Sequence, residues 1–226
     1  MEGVVAMGDT SGSHEPSGEP QASVVTFVTT EHFTLQGARS ATIAESTARA
    51  SMFLMSVSSG LVALGLFATA TGTGDAFFVF ALVLMPTLAF VGLGTFDRTL
   101  QSGVEDLGYA RRIARLRAYY FDNAPDLTSY LLSVPPTRRL AVEGLRGGWA
   151  QAFRTVAGMV AVVTAVLAGA EVGLAIAASV DAPVASFASG ILVALVALVA
   201  LTRYQRSTWE RGYRQPIFED DQTVAA

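Results

Sequence analysis

The residue with the most chemical content in this sequence is Glu171, a carboxylate set in an otherwise apolar run from residue 155 to residue 180. Helix geometry puts it about 12 Å inside the end of that run. A charged carboxylate facing lipid at that depth costs roughly 2.5 kcal/mol or more, so Glu171 is expected to face other helices or a subunit interface. Thr164 shares its helical face. At matching depth a later apolar run offers Ser186 and Ser189, and an earlier one offers Thr87 beside Pro86. Three roles fit such a polar cluster: packing glue, in which a neutral glutamate bonds a serine or a backbone carbonyl; proton or ion coupling; or a pore lining.

Other chemistry is thin. With no cysteine, the chain has no disulfide framework, thiolate metal site or cysteine nucleophile. There is no HExxH, and with no lysine there is no phosphate-cradling loop of the usual kind. His14 and His32 stand apart, and metal sites need several ligands at set spacing. No catalytic residue, metal or cofactor is therefore expected, and no enzyme activity. Arg111, Arg112, Arg115 and Arg117 form a basic cluster interleaved with Tyr109, Tyr119 and Tyr120. No nucleic-acid recognition module accompanies it. Contact with anionic lipid headgroups, shared with Arg203 and Arg206, is the simpler account.

The elements that carry these residues are long and apolar. Residues 51–96 hold two runs, each free of ionisable groups and each long enough to span a hydrocarbon core about 30 Å thick. Lipid offers the backbone no hydrogen-bond partners, so each run must be a helix. The linker around Gly72, Thr73, Gly74 and Asp75 allows only a tight turn. Residues 155–201 repeat the pattern, with Asp181, Ala182 and Pro183 at the turn. Ala157, Ala161, Ala165, Gly169, Gly173 and Ala177 place a small residue at every fourth position of the third span. Such a ladder permits close helix contact, and it suggests oligomerisation. Pro86 is expected to kink the second span.

The rest is polar. Residues 1–30 are rich in Gly, Ser and Pro and are expected to be a disordered tail, with no signal-peptide pattern. Residues 31–50 form an entry helix. Residues 97–154 begin as a continuation of the second span, with Leu100, Val104, Leu107, Ala114 and Leu116 at helical steps. A short helical turn at 127–134, a break at Pro135–Pro136 and an interfacial Trp149 follow. Residues 202–226 form the tail, in which Tyr204, Trp209 and Tyr213 join the arginines in an anchoring belt. All fifteen arginines lie before the first span, between the second and third, or after the fourth. The positive-inside rule then makes both termini and the long connection cytoplasmic.

The reading is an all-α membrane protein: four transmembrane helices in two antiparallel hairpins with a helical cytoplasmic extension. Arginine as the sole basic residue, with abundant Ala, Val and Gly, suggests a GC-rich bacterial genome and an inner-membrane location. The stretches EHFTLQGARSATIAESTARASMFLMSVSSGLVALGLFA and GLGTFDRTLQSGVEDLGYARRIARLRAYYFDNAP resemble a family of uncharacterised bacterial four-helix integral membrane proteins. The family implies this architecture and no particular activity. The polar helix entering an ARAS-type span start is also similar to four-helix membrane effectors of bacterial antiphage systems. Small multidrug transporters share four spans and a membrane glutamate, but theirs lies in the first span. Two functions are expected: a non-enzymatic oligomeric membrane module, of scaffold or pore-forming type, or a small proton-coupled transporter using Glu171. The expected partners are the lipid bilayer, further copies of the chain and a cytoplasmic protein; no nucleic acid is expected.

Overall fold

The computed structural model describes residues 19–123, 154–180 and 182–215. Over these residues the chain is all-helical, with α1 Glu19–Thr71, α2 Asp75–Asn123, α3 Val156–Ser179 and α4 Pro183–Arg214. All four are long and apolar enough to cross a membrane, which points to a multi-pass membrane protein.

Length separates α3 from the other three. Its 24 residues extend about 36 Å, little more than a bilayer core. The 53 residues of α1 extend about 80 Å and the 49 of α2 about 74 Å, so both continue well past any apolar span. The helix α1 starts at Glu19, where a disordered tail to residue 30 was expected. Two features explain the difference. Pro20 falls in the first turn, where its missing N–H costs nothing. Further along, α1 is braced by α2, where the His32 ring meets Tyr120 edge-on at 6.2 Å, and the helix runs back from that contact.

The first turn is set by glycine. Gly72 ends α1 at φ +73°, a left-handed conformation that side chains disfavour. The Gly74 carbonyl then accepts from the N–H groups of Phe77 and Phe78 at 3.0 and 3.3 Å, so α2 opens at once. Pro86 lies inside α2, and the helix runs through it from Asp75 to Asn123 as one element. Residues 124–153, with the expected turn at 127–134, the Pro135–Pro136 break and Trp149, lie outside the described residues. So do Asp181 and the ends of the chain.

Packing places α2 and α3 at the centre. The helix α2 packs on α1 and on α3, α3 packs on α4, and α1 and α4 make no direct packing contact among the described residues. Phe67 of α1 stacks on Phe80 of α2 near the turn, and Gly60 faces Leu84 and Leu88. Phe53, Val57, Met85, Leu88, Phe96, Leu100, Val160 and Ala161 make one buried cluster. The buried stripe of α2 does not stop where its apolar span ends. Leu107, Ala110 and Ile113 are sealed from solvent, and Val104, Ala114 and Leu116 are half-buried. Each fully buried Leu or Ile contributes about 1.5–3 kcal/mol, so the polar half of α2 has a core of its own.

Candidate functional site

The helix α3 carries the residues singled out by the sequence, and its local start is well defined. Thr155 is the N-cap; its Oγ1 accepts from the Gly158 N–H at 3.0 Å. The same oxygen accepts from Gln205 Nε2 of α4 at 3.1 Å. Gln205 is only 2% exposed, and the sequence reading passed over it. Its signal was phase: Leu201, Gln205, Trp209 and Tyr213 recur at four-residue steps, which puts a glutamine on the inward stripe of α4.

The small-residue ladder is occupied within the chain. Ala157, Ala161 and Ala165 are buried, the first two in the main core cluster. At Gly169 an added Cβ would strike the Gly190 carbonyl oxygen of α4 and lie 2.7 Å from Ala194 Cβ. At Gly173 it would lie 3.2 Å from the Ser186 carbonyl oxygen. These glycines let the α3 and α4 backbones touch. Gly169 and Gly173 therefore belong to an intrachain seam, which corrects their expected use between copies. Only Ala177, at the end of the ladder, is exposed.

The polar candidates are not gathered around Glu171. Thr87 Oγ1 donates to the Val83 carbonyl at 2.7 Å, Ser186 Oγ to Ala182 at 3.1 Å, and Ser189 Oγ to Ser186 at 3.0 Å. Each hydroxyl satisfies itself on its own helix, the usual recourse of Ser and Thr in apolar helices. Thr164 shares α3 with Glu171 but faces inward, 2% exposed, against Gly92 and Phe53. Among the described residues its Oγ1 has no hydrogen-bond partner. Glu171 is half-buried, and among the described residues no hydrogen bond or ion pair reaches it. Glu171 shares its helical phase with the buried Val160, Thr164 and Leu167; the open face of α3, with Met159, Val162, Val166 and Ala170 all exposed, lies about 100° or more round the helix from it.

The polar ends of α1, α2 and α4 are joined by specific contacts. Arg39 Nε donates to Asp106 Oδ1 at 2.7 Å and Nη2 to Oδ2 at 3.5 Å, a forked pair with side chains 17% and 13% exposed. Asp106 precedes the arginine cluster on its own helix, yet the partner that holds it is on α1. Tyr204 Oη donates to Asp97 Oδ1 at 3.1 Å, and Gln101 Nε2 donates to the other oxygen at 2.7 Å. Trp209 lies over Gly103, and Gly212 faces Val104 Cγ1. Arg111 Nη1 donates to the carbonyls of Gly212 and Gln215 at 3.3 and 2.9 Å. A cation on the last carbonyls of a helix satisfies orphan acceptors and complements the helix dipole. Arg111 thus caps α4, where headgroup contact was expected. Arg112, Arg203 and Arg206 are exposed, and Arg115 and Arg117 have partners within the chain. Trp209 and Tyr204, expected as a membrane belt, pack on α2.

Among the described residues no three His, Asp or Glu side chains come together as a metal site would need. Comparison with protein-family models, with curated proteins and with solved structures finds no match to this chain.

Proposed function

We propose that the chain is a non-enzymatic membrane module that works as an oligomer in a bacterial inner membrane. Its four spans form two antiparallel hairpins. The polar ends of α1, α2 and α4 form a helical layer on the cytoplasmic side, where the arginines collect. The contacts Arg39–Asp106, Tyr204–Asp97 and Arg111 on the end of α4 support a firm layer of this kind. Such a layer suits a scaffold or effector, passing events between a cytoplasmic protein and the spans. The exposed arginines on it suit anionic headgroups.

The oligomer rests on one observation: Glu171 lies inside a span, half-buried, with no polar partner among the described residues. An ionisable group at that depth needs a partner, and a second copy packed on α3 would supply one. Glu171→Ala should then lower the mass of the protein–detergent complex seen by light scattering. An unchanged mass, at whatever value, counts against the role given to Glu171.

Glu171 also motivates the second reading, a proton-coupled transporter, which needs water to reach the carboxylate from one side. Proton-coupled flux in proteoliposomes that vanishes in Glu171→Gln would favour it over the module.

A further inference from the structure

A cavity of about 160 Å³ opens where all four helices meet, and it is distinct from the Glu171 face. It is lined by Thr42, Ile43 and Ser46 of α1, Thr99 of α2, the start of α3 at Thr155–Ala157, and Trp209 of α4. Despite its hydroxyls, the lining is overwhelmingly apolar. The reason is that those hydroxyls turn back onto their own helices. Thr42 Oγ1 donates to Ala38, Thr99 Oγ1 to Phe96 and Ser102 Oγ to Arg98, at 3.0–3.1 Å. Their methyl and methylene groups are left as the wall. Thr155 Oγ1 is taken up by Gly158 and by Gln205 of α4, whereas Ser46, 8% exposed, makes no hydrogen bond among the described residues.

We infer that this cavity binds a neutral, mostly apolar small molecule of about one ring, with one hydrogen-bonding group that meets Ser46. Size sets the first limit, because an apolar space of roughly 150 Å³ accepts a molecule of the size of benzene. Charge sets the second. Among the described residues Asp106 is the one charged residue of the lining and is already paired with Arg39, so the wall offers no free counter-charge to an ion of either sign. The unpartnered Ser46 hydroxyl sets the third, favouring a phenol over a bare ring. The mouth lies by the exposed Ile43 and Thr47, one to two turns before the apolar run of α1. That level is reached from the lipid–water boundary, where neutral amphiphiles of this size concentrate. A ligand there touches all four helices, so its binding energy bears on how the polar layer sits against the spans. The inference needs the four-helix packing and does not depend on the oligomeric state.

Trp209 in the wall provides the readout. In full-length Trp149→Phe protein in detergent it is the only tryptophan. 4-Bromophenol should quench its fluorescence saturably, and phenol should compete. Adding Ser46→Ala should weaken phenol about three- to ten-fold, the share of one neutral hydrogen bond, and leave bromobenzene unchanged. Ser46→Leu should remove saturable quenching by both. Quenching that stays linear with concentration, or is the same in Ser46→Leu, would mean partition into detergent and overturn the site. Equal phenol affinity in Ser46→Ala would overturn the ligand class. Ser46→Ala changes too little volume to threaten folding, so the second result is decisive even where Ser46→Leu misfolds.

Discussion

Arg39 of α1 holds Asp106 of α2 in a forked ion pair, 2.7 Å at its shorter arm, although the two residues are 67 apart in sequence. Both side chains are largely out of water. Removing one partner of such a pair leaves the other charge buried, at a cost of about 3 kcal/mol or more. Asp106→Ala and Arg39→Ala should each lower the unfolding midpoint in detergent and speed proteolysis of the polar half of α1. The double mutant should be clearly less damaged than the sum of the two. Strict additivity in a double-mutant cycle would mean that the pair contributes nothing of its own.

Glycines at two places should respond in opposite directions. Gly169→Ala puts a Cβ against the Gly190 carbonyl and should destabilise by about 1–3 kcal/mol, as overpacking does. Gly37→Ala, on α1 with nothing within 4 Å of the added Cβ, should stabilise by about 0.5–1 kcal/mol through helix propensity alone. Thermal unfolding of the two variants beside the parent checks both signs. A neutral Gly169→Ala would show that α3 and α4 are further apart than described.

Thr164 and Gly92 form a third test. The Thr164 hydroxyl is buried, with no partner among the described residues. Thr164→Val keeps its shape and removes an unsatisfied group, so stability should hold or rise by about 1 kcal/mol. Gly92→Ala should be damaging, because its Cβ would meet Thr164 Oγ1 and lie 2.9 Å from Phe53 Cζ. A loss of more than about 1 kcal/mol in Thr164→Val would instead give that hydroxyl a working role.

The spans were legible because their signal is local. A run of some 20 apolar residues needs no knowledge of its neighbours, and the structure keeps all four as membrane-capable helices. The continuation of the second span was legible for the same reason, from Leu100 and Leu107 at helical steps. Contacts between helices were not. Asp106 has arginines close by in sequence, yet its partner is Arg39, and only the arrangement of α1 beside α2 brings the two together. Arg111 sits in a cluster that reads as a headgroup patch, but the end of α4 arrives beside it with orphan carbonyls. The ladder was correctly seen as a close-packing face, while spacing alone cannot say whether a chain's own helix or a second copy will occupy it. Glu171 was placed in a polar cluster because Ser186, Ser189 and Thr87 lie at matching depth. Depth does not fix direction, and each of those hydroxyls has a carbonyl of its own helix within 3.1 Å.

The claim that matters most is that a second copy covers the open face of α3, the span that carries Glu171. The chain has no cysteine, so an introduced thiol is unique. Ala170→Cys and Val166→Cys place it on that face, and Val62→Cys places it on the exposed side of α1. Oxidative crosslinking in native membranes, at low expression, should give a disulfide dimer from the first two and little from the third. The α3 dimers should also weaken when Glu171→Ala is added. Monomer at Ala170→Cys and Val166→Cys, under conditions that crosslink Val62→Cys, would contradict the account and leave Glu171 facing lipid or water rather than a partner.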